Sequence, residues 1–64
     1  MNWEDIKESR FNGIVEQIDF YAWKFYEVGK LSLAQKKHLK ELRQQISVFG
    51  ERAQKWEQLC EEML

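Results

Sequence analysis

The chain has no proline, one cysteine, one histidine and only three glycines in 64 residues. Each scarcity closes a route. Without proline nothing interrupts long helices, and with one cysteine there is no internal disulfide. Cys60 and His38 together fall far short of a metal-ligand set. The longest purely apolar run, Phe20 to Trp23, is much too short to span a bilayer. The amino-terminal stretch carries acidic residues where a secretory signal would be basic. These absences predict a reduced, cytoplasmic setting and no membrane association.

The groups an enzyme needs are equally scarce. No nucleophile is paired with a base, no carboxylates converge at a recognisable spacing, and no metal cluster is legible. The sequence therefore predicts no enzymatic activity, no cofactor and no metal. His38 reads as a boundary residue beside an apolar seam, and Cys60 as a small core hydrophobe.

Aromatic residues, in contrast, are plentiful: three tryptophans, four phenylalanines and two tyrosines. They argue for a folded chain although a third of its residues are charged. The longest pattern is apolar. Leu39, Leu42, Ile46, Phe49, Ala53, Trp56, Cys60 and Met63 recur at alternating steps of three and four, which places them along one side of a single helix. In the second half small Ala53 and Cys60 alternate with large Phe49 and Trp56, as in the layers of an antiparallel bundle.

Local signals set the remaining boundaries. Asn2 reads as a helix cap, with Glu4 and Asp5 favourably placed near the positive end of the helix dipole. Trp3, Phe11, Ile14, Val15, Ile18, Tyr21, Ala22, Phe25 and Val28 share one wide face. Asn12-Gly13 is the weak point, either a kink or a break. Gly29 suits the left-handed stop of a helix, and Ser32 with Gln35 spells a capping box for the next one. The predicted fold class is all-α: one domain over residues 1–64, an antiparallel helical hairpin with helix 1 at about 3–28, a turn at 29–32 and helix 2 at about 33–63. In this register Phe11 lies beside Gly50 and Gly13 near Phe49, so each glycine either receives a ring or is a plain kink.

One such hairpin buries too little to offset an ordering cost of roughly 1.5 kcal/mol per residue. Oligomerisation is the remaining staple, so the sequence predicts a homodimer forming a four-helix bundle. Charge points the same way. Residues 1–23 carry a net −3, residues 24–43 a net +4 and residues 44–64 a net −2, giving the hairpin a basic tip and an acidic open end that a reversed second copy would neutralise. In size and outline such an assembly is similar to the small Rop-type plasmid copy-number regulators, antiparallel dimers that bind paired RNA hairpins. The likeness is one of architecture, and no residue is carried over from it.

Two surfaces remain for function. Phe20 and Trp23 project away from the hairpin core and are flanked by Glu16, Lys24 and Glu27, an arrangement that suits either a partner-binding patch or a dimer interface. The leading reading is a small adaptor or inhibitor that binds a larger protein. The alternative is a nucleic-acid-binding regulator, in which Lys36, Lys37, Lys40 and Arg43 at the basic tip contact phosphates.

Overall fold

A computed structural model describes residues 3–64, so the expected cap at Asn2 lies outside the described residues. These residues form α1 (Trp3–Val28), α2 (Leu33–Ser47), a 3-10 turn (Gly50–Ala53) and α3 (Gln54–Met63). The fold is all-α. The first helix runs through Asn12-Gly13 without a break, and Glu4 and Asp5 occupy its first turn as expected. At 26 residues α1 is about 39 Å long, which matches the 40 Å long axis of the molecule.

The turn after α1 is built as its residues dictate. Gly29 takes φ +86°, and its N–H donates to the Phe25 carbonyl at 2.7 Å, stopping the helix. Ser32 then starts α2 with both bonds of the capping box. The Gln35 N–H donates to Ser32 Oγ at 3.1 Å, and the Ser32 N–H donates to Gln35 Oε1 at 2.9 Å. Between them Leu31 is buried, fastening the loop to the core.

The second helix corrects the sequence reading. It was expected to continue to residue 63, but it ends at Ser47. Ser47 Oγ donates to the Gln44 carbonyl at 2.7 Å, and Gly50 takes φ +72°, a conformation that reverses the chain and that only glycine adopts cheaply. Arg43 on α2 reaches Glu61 on α3 at 2.6 Å, a contact that one continuous helix would hold about 27 Å apart. The seam is therefore folded on itself, with α3 antiparallel to α2 and alongside α1. The repeat of three and four persists through the turn because both helices direct it into one core.

Ile18, Leu39, Leu42, Ile46 and Cys60 are fully buried there, joined by Phe11, Ile14, Leu31, Ala53 and Met63. Two seam residues depart from this: Phe49 and Trp56 are only half-buried. Trp56 sits at the flank of α3 with Lys55 Nζ 5.5 Å from its ring. Trp3 and Val28, expected on the core face, are exposed. Of the two readings of Gly13 and Gly50, the one in which each receives a ring does not hold. A Cβ at Gly13 or Gly50 would meet nothing within 4 Å, so neither receives a ring.

The expected register is otherwise close. Phe11 meets Phe49 edge-on with centroids 5.2 Å apart, and Tyr21 meets His38. The turn into α3 is pinned at the same point. The Arg52 guanidinium lies 4.5 Å from the Phe11 ring centre and grips Glu8 with two hydrogen bonds of 2.7 and 2.8 Å.

Candidate functional site

The core is complete without a row of aromatic residues on α1. Phe20, Trp23 and Tyr26 follow one another at steps of three and remain 56, 66 and 90% exposed. Phe20 and Trp23 lie on the side of α1 away from Ile18 and Phe25, which pack into the core, and Tyr26 stands one step further along. Asp19, Ala22, Trp23 and Tyr26 line a shallow groove there.

Of the partner-binding candidates, Phe20, Trp23, Glu16, Lys24 and Glu27 are all exposed. Phe20 and Trp23 face solvent as expected. Lys24 Nζ lies 5.6 Å from the Phe20 ring centre, and Phe20 meets the Tyr21 ring edge-on at 5.8 Å. Tyr26 was missed. Its spacing from Trp23 was legible, and it is the most exposed of the three rings.

This surface is acidic: Glu16, Asp19 and Glu27 stand against Lys24. A ledge of large rings rimmed by carboxylates suits a partner that offers an apolar anchor among cationic side chains.

The basic candidates are less united than expected. Arg43 is engaged with Glu61, and α3 returns its acidic end to the flank of α2. One of these basic groups is thus met within the chain. Lys37 and Lys40 remain exposed and Lys36 is half-buried.

The titratable groups offer structural roles. Tyr21 Oη and His38 Nδ1 share a hydrogen bond of 2.5 Å in a partly buried setting, tying α1 to α2. Burial pushes the Cys60 thiol up to about 11, so at neutral pH it is a protonated core group. The hydrogen bonds from Arg52 hold the Glu8 carboxyl below its ordinary value of 4.5. Among the described residues no group of three or more His, Cys, Asp or Glu could hold a metal ion, and no helix is long and apolar enough to cross a membrane.

Compared with protein-family models, curated proteins and solved structures, the chain matches none.

Proposed function

We propose that the chain is a small non-enzymatic protein-interaction module, an adaptor or inhibitor that docks on a larger protein through the ledge of Phe20, Trp23 and Tyr26. One observation carries the reading: these three rings are exposed in sequence along α1 while the core closes without them. Contiguous exposed rings with a charged rim are unusual on a solitary soluble surface and typical of recognition patches. A cytoplasmic setting is proposed with it, resting on the single buried thiol.

The second reading, a nucleic-acid-binding regulator, rests on exposed Lys37 and Lys40 with Lys36 beside them. It has lost Arg43 to an ion pair with Glu61. The net charge of −1 does not favour it.

The test replaces Phe20 and Trp23 together with serine and compares capture from nuclease-treated lysate with that of the unaltered chain. The expected result is unchanged helicity and loss of a captured protein. A folded double variant that keeps the same protein contradicts the proposal. Capture that vanishes on nuclease treatment, and on charge reversal at Lys36, Lys37 and Lys40, establishes the second reading instead.

A further inference from the structure

At the opposite end of the molecule the overhang of α1 creates a second apolar surface. Trp3 and Ile6 stand beyond the end of α2, and with Val48 and Phe49 from the reversing turn they wall a cleft whose charged lining residues are Lys7 and Arg10. Trp3 is 66% exposed and Val48 80%, so the walls are open to solvent. Lys7 Nζ sits 5.5 Å from the Trp3 ring centre. No carboxylate is among the described residues that line the cleft.

This is the counterpart of the ledge. One surface is a row of exposed rings with Asp19 beside them and Glu16, Glu27 and Lys24 close by on α1; the other is an apolar recess bordered by Lys7 and Arg10. Within one chain they cannot meet. Trp3 and Trp23 are about 30 Å apart along α1 and point roughly 160° apart around it. Two ledges do not suit each other either, because a two-fold contact would set the same carboxylates face to face.

We infer that the chain self-associates head to tail, the ledge of one copy seated in the cleft of the next. The inference rests on the ledge being a docking surface, and it names a second copy as one occupant. Such a contact is heterologous, so it builds a ring or an open row rather than a two-fold dimer. In an open row only one terminal ledge stays free. A larger protein that binds the ledge then competes with assembly, and self-association becomes a reserve that the partner draws down.

The experiment uses two variants that leave the core untouched. Trp23→Ser disables the ledge, and Lys7→Glu with Arg10→Glu disables the cleft. Sedimentation velocity then reports mass. The unaltered chain is expected to grow in average mass with concentration and to shrink with added salt. Each variant alone should sediment as a monomer. Their equimolar mixture should give a species of twofold mass and nothing larger, since it unites one intact ledge with one intact cleft. Circular dichroism checks the folding of each variant, and Asp19→Lys with Glu27→Lys replaces Trp23→Ser if the latter loses helicity.

A wild-type chain that stays monomeric at every concentration, a mixture that stays monomeric, or a variant that dimerises alone overturns the inference. None of these outcomes bears on capture of a larger protein by the ledge, so the two proposals fail separately.

Discussion

At the scale of single residues, burial sorts the seam into members that hold the fold and members that border it. Ile46 is fully enclosed, so Ile46→Ala should cost about 2–5 kcal/mol, read as a shift in denaturant midpoint. Trp56→Ala should fall below the roughly 3–5 kcal/mol of a fully buried tryptophan, because one side of its ring is already in water. A Trp56 variant that costs as much as a fully buried tryptophan would show that the flank of α3 is misplaced. Cys60 offers an independent probe. Its thiol is enclosed and protonated, so a thiol-labelling reagent at neutral pH should react only through opening of the fold. Labelling should be slower than in the denatured chain by about tenfold for each 1.4 kcal/mol of opening energy. A native rate equal to the denatured rate would place Cys60 outside the core.

At the scale of elements, the two turns differ in what announces them. Ser32, Gln35 and Gly29 form a local code, and the structure follows it bond by bond. Gly50 has no such code around it. Its neighbours Phe49 and Ala53 continue the apolar repeat, and no side-chain cap marks the start of either the 3-10 turn or α3. The reversal is therefore a tertiary decision, stabilised by Arg52 on Phe11 and Glu8, forty-odd residues away in sequence. Glycine substitutions separate the cases. Gly13→Ala, in an open mid-helix position, should stabilise by about 0.5–1 kcal/mol, whereas Gly50→Ala, at φ +72°, should destabilise by about 1–2 kcal/mol. Equal effects in thermal melts would mean that the turn is not where it is described. The Arg52–Glu8 clasp adds a pH signature. Because the folded-state carboxyl titrates below 4.5, its contribution is present above that value and is lost as the pH falls through the lower, folded-state value. Glu8→Gln should flatten that limb of the stability curve; an unchanged acid limb would remove the clasp from the account.

At the scale of the whole molecule, the third helix folds the seam back into one core. It supplies a partner for the seam, and Glu61 meets Arg43 within one chain. What it leaves uncovered is equally informative. The end of α2 at Ser47 leaves the cleft beside the first turns of α1, and the ledge lies on the side of α1 away from the core. Phe20 and Trp23 were legible as outward residues from helical spacing alone, whereas the cleft required knowing where α2 ends. The whole scheme depends on α3 returning along α2. Nuclear Overhauser contacts between the side chains of Arg43 and Glu61, recorded on the isotope-labelled chain, test this most directly. The account predicts that they are present, together with contacts between Glu8 and Arg52, and that they persist undiminished when the labelled chain is diluted with unlabelled chain; an uninterrupted second helix would put Arg43 and Glu61 about 27 Å apart within one chain, so the signal would be absent or, arising between copies, would fade on that dilution.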